Sequence, residues 1–341
     1  MHSFKNDYSS GAHPDILQKL SSSNWDEQPG YGEDAYSKAA KTLIRDKIHN
    51  PEAAVFFLSG GTQSNLIVIS ALLKIHEAVI SAKTGHIFSN ETGAIEAVGH
   101  KVIAVDTPEG KLRASDVTSV LEAYTLRPHV VKPKLVYISN SSETGTIYHK
   151  QELEALSKVC RENQLYLFMD GARLGHALTA EDNDLRLPDI ANLTDVFYIG
   201  GTKNGALLGE AVVFKDPMLC PEFDYVLKQK GALLAKGRVL GIQFLELFKD
   251  DLYFTLATHA NRMAQKLAGA FKAAGKSFYI ASTTNQIFPV LSQNEIDALA
   301  LKYDFYVWVK IDSGHSAIRL ITSWSTKEEV VDQFITDITR L

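Results

Sequence analysis

The sequence predicts an α/β protein: a large, mostly parallel sheet covered by helices on both faces, with a small α+β unit appended at the C-terminal end. Three observations carry this. Apolar runs of strand length alternate with amphipathic helices through the first two-thirds of the chain. Two of those runs end on Asp170 and near Lys203, where an open α/β sheet places its ligands. Beyond about residue 250 the alternation gives way to one long helical stretch followed by short strands. The 341 residues exceed one ordinary core, so a large unit over 1–250, with an N-terminal arm, and a small unit over 251–341 are expected.

In chain order, the segment to about Ser10 is polar and reads as an arm, and Tyr31-Gly32-Glu33-Asp34 as a turn and helix start. Ala53–Leu58 (A-A-V-F-F-L) reads as a buried strand and Thr62–Leu73 as the helix after it. Further strands fall at Lys101–Asp106, Lys134–Ser139, Leu165–Asp170, Asp195–Gly200 and Glu210–Phe214. Helices fall at Ala114–Tyr124 and Gln151–Glu162. Leu252–Ala274 reads as one long helix stopped by Gly275. After it come strands at Phe278–Ile280, Ile287–Leu291, Phe305–Lys310 and Ala317–Thr322, with helices Gln293–Leu301 and Lys327–Leu341.

Composition narrows the function. At 45% hydrophobic and 22% charged, the chain has the make-up of a soluble globular protein. A net charge of -5 gives nucleic-acid binding no support. Two cysteines, Cys160 and Cys220, form neither a disulfide framework nor a metal spacing, which fits a reducing cytoplasm. No apolar run reaches the roughly 20 residues that span a bilayer, so no membrane partner is expected. The start Met1-His2-Ser3-Phe4-Lys5 leads into polar residues, so no signal peptide is expected.

Several motifs carry chemistry. Leu58–Leu66 (L-S-G-G-T-Q-S-N-L) follows a strand and opens a helix. It serves either as an anion cradle through Gly61 and Thr62 or as an ordinary turn with Thr62 as N-cap. It lacks the spacing of a Walker loop or a dinucleotide fingerprint. Asp170 and Arg173 lie in M-D-G-A-R-L after an apolar strand, and Lys203 in G-G-T-K-N-G after another. Asp170 is either a helix cap or an acid facing the crevice, and Arg173 a surface ion-pair member or a ligand contact. A lysine beside an apolar strand tip is partly desolvated, which favours its neutral, nucleophilic form. An enzyme that uses pyridoxal phosphate needs such a lysine for a Schiff base and an acid for the pyridine nitrogen. Arg319, inside the apolar run A-I-R-L-I-T, needs an anionic partner, either an internal Asp or Glu or a substrate carboxylate. His86 is one of 11 histidines, and by itself it reads as structural.

Taken together, the motifs resemble the low-specificity threonine aldolases of the β-eliminating lyase group. They run in order from F-K-N-D through G-Y-G-E-D, S-G-G-T-Q-S-N-L, G-H-I-F-S-N-E-T-G-A and I-S-N-S-S-E-T-G-T-I-Y. M-D-G-A-R-L-G-H-A, G-G-T-K-N-G, L-K-Q-K-G-A-L-L-A-K-G-R and A-I-R-L-I-T follow, so the likeness covers nearly the whole chain. The resemblance implies the aspartate-aminotransferase type fold (fold type I), with pyridoxal phosphate as cofactor.

It further implies that Lys203 holds the cofactor, Asp170 sits on its ring nitrogen and His86 stacks on its ring. Gly61 and Thr62 would cradle the phosphate, while Arg173 and Arg319 hold the substrate carboxylate. Lys228 falls where the family has a cofactor-site lysine near a subunit boundary, which implies a homodimer or homotetramer. Asn6 stands where a substrate-contacting serine is common. Ser141-Ser142-Glu143 stands where some members carry a histidine thought to meet the substrate hydroxyl. The implied reaction cleaves the Cα–Cβ bond of a β-hydroxy amino acid to glycine and an aldehyde, with His86 or a water it orders removing the hydroxyl proton. Another lyase or racemase reaction with the same cofactor is the alternative, and a binding protein that has lost its chemistry is the alternative of another class.

Overall fold

The computed structural model describes residues 2–340. A two-residue strand β1 (His2–Ser3) precedes helices α1 (Pro14–Ser22) and α2 (Ala35–Lys47). Strands and helices then alternate: β2 (Ala54–Leu58), α3 (Gly61–Leu72), β3 (Glu77–Ala82), short α4 (His86–Ser89) and α5 (Ala94–Ala97), then β4 (Lys101–Val105). Next come α6 (Ala114–Ala123), β5 (Lys132–Ser139), α7 (Lys150–Glu162) and β6 (Tyr166–Asp170). Short α8 (Leu174–Leu178) and α9 (Leu187–Leu193) lead to β7 (Val196–Gly200) and β8 (Glu210–Phe214). The seven strands form one sheet in the order β2-β8-β7-β6-β5-β3-β4. Pairs from β7 through β4 are parallel, and β8 alone runs against both of its neighbours.

The sheet is apolar on both faces because helices cover both. All residues of β3, β7 and β8 are buried, including the acids at their ends. The helices contribute one stripe each. In α7, Leu153, Leu156, Val159 and Cys160 face inward, and the Glu152 carboxylate caps the start by accepting the His149 N–H at 2.8 Å.

Three helices follow, α10 (Phe223–Gln229), α11 (Arg238–Phe248) and α12 (Leu252–Ala273). Gly275, at φ +72°, takes the left-handed turn that ends α12, as its sequence position predicts. The remainder comprises β9 (Gln286–Ile287), β10 (Val290–Ser292), α13 (Gln293–Ala300), β11 (Tyr303–Asp304), β12 (Tyr306–Lys310), β13 (His315–Ile321) and α14 (Glu328–Ile338). β13 pairs antiparallel with β10, β12 and β9. The start of α12 packs into the large core through Tyr253 and Leu256, while Met263, Leu267 and Phe271 pack against the C-terminal strands.

The N-terminal arm is held down. Phe4 is 1% exposed among Phe271, Tyr303 and Phe334, and β1 pairs in parallel with β11. Burying that one ring stabilises the docked arm by about 2 kcal/mol.

Several sequence expectations shift. The interior strand β3 (E-A-V-I-S-A), next to the edge strand β4, has no apolar run long enough to announce it. Its end acid Glu77 is buried because Lys132 Nζ lies 3.3 Å away and the Lys74 N–H donates at 3.0 Å. The expected strand Phe278–Ile280 is reduced to a single bridge, Phe278 to Pro289. The expected strand Ile287–Leu291 is divided into β9 and β10, with Pro289 between them; proline has no N–H to give a ladder. The C-terminal helix is α14, and Leu341 lies outside the described residues.

Candidate functional site

The parallel strands β6 and β7 lie side by side, and their carboxyl ends deliver the two residues the sequence singles out. Asp170 is the last residue of β6 and is buried at 5% exposure. The turn Gly201-Thr202-Lys203 follows β7 directly. Close approach of the two tips demands glycine at 171, where a Cβ would fall 1.7 Å from the Tyr198 carbonyl oxygen. Gly205, at φ +95°, turns the chain back toward β8.

Two cavities meet at Lys203. One, of about 390 Å³, is lined by Gly61, Thr62, Asp170, Tyr198, Thr202 and Glu210. The other, of about 410 Å³, is lined by Asn6, Tyr306, Val307, Trp308, Arg319 and Ile321. Tyr8, His86, Asn90, Glu143, Arg173 and Lys203 border both. Lys203 thus sits at the waist of one two-lobed pocket. Burial, with the Arg173 guanidinium nearby, pulls its amine below the usual lysine range, while Asp7, Asp170 and Glu210 oppose that shift.

The first lobe has the features of an anion and aromatic-ring site. Helix α3 begins at Gly61 with Gly60 as its N-cap, and no side chain satisfies its first amides. Thr62 is therefore not the cap; it stands in the first turn, where free N–H groups face the lobe. Asp170 Oδ2 accepts from the Tyr137 hydroxyl and from Asn65 Nδ2 at 3.1 Å, and Oδ1 accepts the Ala172 N–H at 2.9 Å. Burial raises the Asp170 carboxyl, but His86 and these donors, with the Tyr198 hydroxyl, overcome it and hold the group anionic. It does not cap α8, which starts beyond Arg173.

His86 is fixed by a second carboxylate, its Nδ1 lying 2.8 Å from Glu91 Oε1. The same oxygen accepts from Asn65 Nδ2 at 2.8 Å, which links His86 to Asp170 through one buried amide. Glu210 is also buried, and its Oε2 accepts the Gly201 N–H at 3.1 Å. Burial pushes its carboxyl up to about 8 against the pull of Thr202 and Lys203.

The second lobe presents two arginines in different states. Arg173 is already paired: Nε donates to Asp7 Oδ2 at 2.7 Å and Nη2 to Asp7 Oδ1 at 3.0 Å. Asn285 Nδ2 adds a bond to the same carboxylate at 2.9 Å. Burial would raise Asp7, yet Arg173 and Lys203 hold it far below the ordinary carboxylate range. Arg319 has no carboxylate partner among the described residues, and its buried Nε has no hydrogen bond. Its guanidinium lies instead between two rings, 5.2 Å from Tyr306 and 4.6 Å from Trp308. An unpartnered, ring-clamped guanidinium beside a polar pocket is chemically suited to an anion.

Asn6 lines this lobe, with its carbonyl oxygen taken by the Tyr8 N–H at 3.0 Å and the Ser9 hydroxyl at 2.8 Å. Lys228 does not reach either lobe. It is exposed on α10, its Nζ 4.5 Å from the Tyr31 ring centroid. The motifs contain Asn65 and Glu91, but no local signal marks them as site residues; Glu143 stands out only through the resemblance, and Glu210 lies outside every motif. Asp7 ends the motif F-K-N-D without a local signal of its pairing, and Tyr8, Tyr137 and Trp308 join the site only through the fold.

Behind the arginines, His176 is fully buried and neither ring nitrogen has a partner. Burial, with Arg173 and Lys203 nearby, brings it down to about 4 from 6.5, Asp7 pulling the other way. Between those values the unfolded chain binds a proton that the folded one refuses, so stability falls as pH drops through this window. From pH 7 to pH 5, wild-type protein should lose about 2 kcal/mol more than His176→Leu, read from urea midpoints. Equal losses would show that another group titrates.

Comparison with known proteins gives a consistent picture. A family model described as beta-eliminating lyase matches residues 5–324. A low specificity L-threonine aldolase of Pseudomonas aeruginosa is 32% identical over 340 residues, covering 98% of this chain and 96% of that one. A solved structure of Leishmania major threonine aldolase superposes with a TM-score of 0.98 at 47% identity, covering 100% of this chain and 99% of the other. An aspartate aminotransferase of Thermus thermophilus, at 15% identity, shares the fold alone, with a TM-score of 0.73 over 99% of this chain and 91% of its own.

Proposed function

We propose, from the premise that this chain belongs to the beta-eliminating lyase family, that it is a pyridoxal-phosphate enzyme cleaving β-hydroxy-α-amino acids of the threonine type to glycine and an aldehyde. One observation carries the reading. Lys203 stands at the waist of a pocket with an anionic Asp170 in one lobe and an unpartnered Arg319 in the other.

The residues fit the cofactor. The uncapped start of α3 at Gly61 and Thr62, with Thr202, suits a phosphate; Asp170 suits a protonated ring nitrogen; and Lys203 supplies the amine that holds the cofactor's aldehyde carbon. When bound, pyridoxal phosphate supplies a conjugated ring that stabilises negative charge at Cα. The chain's own groups do the rest. Asp170 keeps the proton on the ring nitrogen, held there by Tyr137, Asn65 and Ala172. His86, steadied by Glu91, would form a wall for the ring. Arg319 would grip the substrate carboxylate and so fix the orientation of the bonds at Cα. Arg173, its Nε and Nη2 held by Asp7, lines the same lobe and would add its remaining N–H groups to that carboxylate.

The test is product analysis. Threonine and allo-threonine should give glycine and acetaldehyde in equal amounts from purified holoprotein. Ammonia and pyruvate from serine or cysteine without glycine would indicate β-elimination instead, and no visible cofactor band would indicate a binding protein.

Arg319→Lys should raise KM for the amino acid about 10- to 100-fold while the cofactor band persists, because an ammonium cannot reproduce the fork. If this variant loses the cofactor or unfolds, Arg319 is structural.

The reading extends to a homodimer or homotetramer in which Lys228 and Tyr31 complete the neighbouring chain's cofactor site. Exposure of Trp25, Tyr31 and Tyr225 supports that assembly. It extends also to a cytoplasmic location, supported by two free cysteines, and to a division into 1–250 and 251–341. Among the described residues, no helix is long and apolar enough to cross a membrane.

A further inference from the structure

Glu143 borders both lobes of the pocket, and nothing in the scheme above uses it. It sits in the loop after β5, with Lys203 and Arg173 bordering the same space. One oxygen, Oε1, accepts the His86 backbone N–H at 2.9 Å and the Ser139 hydroxyl at 2.8 Å. Both donors are neutral, and they fix the carboxyl without a countercharge. The other oxygen has no hydrogen bond among the described residues and is not sealed off, so it is free to meet a ligand. Glu143 enters no ion pair among the described residues, although the paired Arg173 is close enough to feel its charge. Burial, with Asp170 nearby, pushes its carboxyl up from the ordinary glutamate value, toward the range in which a general base is effective.

The reaction needs such a group. Cleavage between Cα and Cβ requires the β-hydroxyl to lose its proton as the carbonyl forms. The neighbouring carboxylates are committed, Asp7 to Arg173 and Asp170 to three donors. His86, its Nδ1 held by Glu91, keeps Nε2 without a partner among the described residues and is the competing base that the experiment must separate.

We propose that Glu143 is the general base for the substrate's β-hydroxyl, an inference that rests on the threonine-type reading above. The O–H bond breaks and its proton passes to the free oxygen of Glu143. The O–H pair becomes the second bond of the aldehyde carbonyl. The Cα–Cβ bond breaks with its pair left on the glycine carbon. That carbon takes a proton from water, and Glu143 returns its own to water, so no oxidant or reductant enters.

Glycine itself separates the roles, because exchange of its Cα proton for deuterium needs the cofactor, Lys203 and the carboxylate clamp but involves no hydroxyl. In Glu143→Gln holoprotein, threonine cleavage should fall on the order of 10²- to 10³-fold. Glycine exchange followed by NMR, and the visible cofactor band, should stay within about 3-fold of wild type on the same scale. Cleavage within about 3-fold of wild type, or an equal fall in both reactions, would overturn the assignment. If the Gln variant fails to retain cofactor, Glu143→Ala with added formate replaces it: restored cleavage supports a proton acceptor at this place, and no restoration overturns it. Wild-type protein that exchanges glycine but forms none from threonine would refute the reading of the function itself, before any variant is compared.

Discussion

Lys203→Ala protein should fold and lose turnover on the order of 10³-fold or more, the largest effect expected of any single change here. The loss follows from position. Lys203 is the amine at the waist, and no other lysine lines either lobe. Folding should survive because the side chain is a half-buried cation whose burial opposes its charge, so its removal takes away a cost as well as contacts. The measurement is steady-state cleavage together with thermal unfolding. Retained turnover would exclude Lys203 as the cofactor lysine, whereas loss of folding would make it a structural group.

Asp170→Asn should lower turnover on the order of 10²-fold or more, with KM little changed, since the charge is needed to keep a proton on the ring nitrogen. The substitution also tests the buried network. All the neighbours of Asp170 are donors, Tyr137 and Asn65 on one oxygen and the Ala172 N–H on the other. An asparagine must turn its NH₂ toward one of them, a mismatch costing about 1–3 kcal/mol unless Tyr137 rotates to accept. A folded variant with a lower Tm, an altered cofactor band and slow turnover is the expected result. Near-normal turnover would reduce Asp170 to an acceptor for neighbouring donors.

What the sequence made legible was what local pattern encodes. The strands ending at Asp170 and before Lys203 are apolar runs closed by glycine, and both residues arrive at the pocket as their positions predict. The turn after Ala54–Leu58 was legible as a strand-to-helix turn open to either an anion cradle or a Thr62 cap; the helix starts one residue early and Thr62 does not cap it. The pairing of Arg173 was not legible, because its partner Asp7 lies 166 residues away on an arm docked by Phe4. The same applies to Arg319. Its strand was visible, but the rings that clamp it come from β12, where the register sets Tyr306 opposite Arg319. Strand β3 was missed because its ends carry Glu77 and Ala82 with a serine between, and only the burial of all six residues, between β5 and the edge strand β4, identifies it as an interior strand. Long-range partners, not element types, were the missing information.

The central claim is that Lys203 carries the cofactor at the junction of the two lobes. Borohydride reduction of the holoprotein, followed by peptide mapping, tests it directly, because reduction fixes the cofactor on whichever lysine holds it. The account predicts one reduced, cofactor-labelled peptide containing Lys203. A label on Lys228, or on no lysine at all, would contradict it.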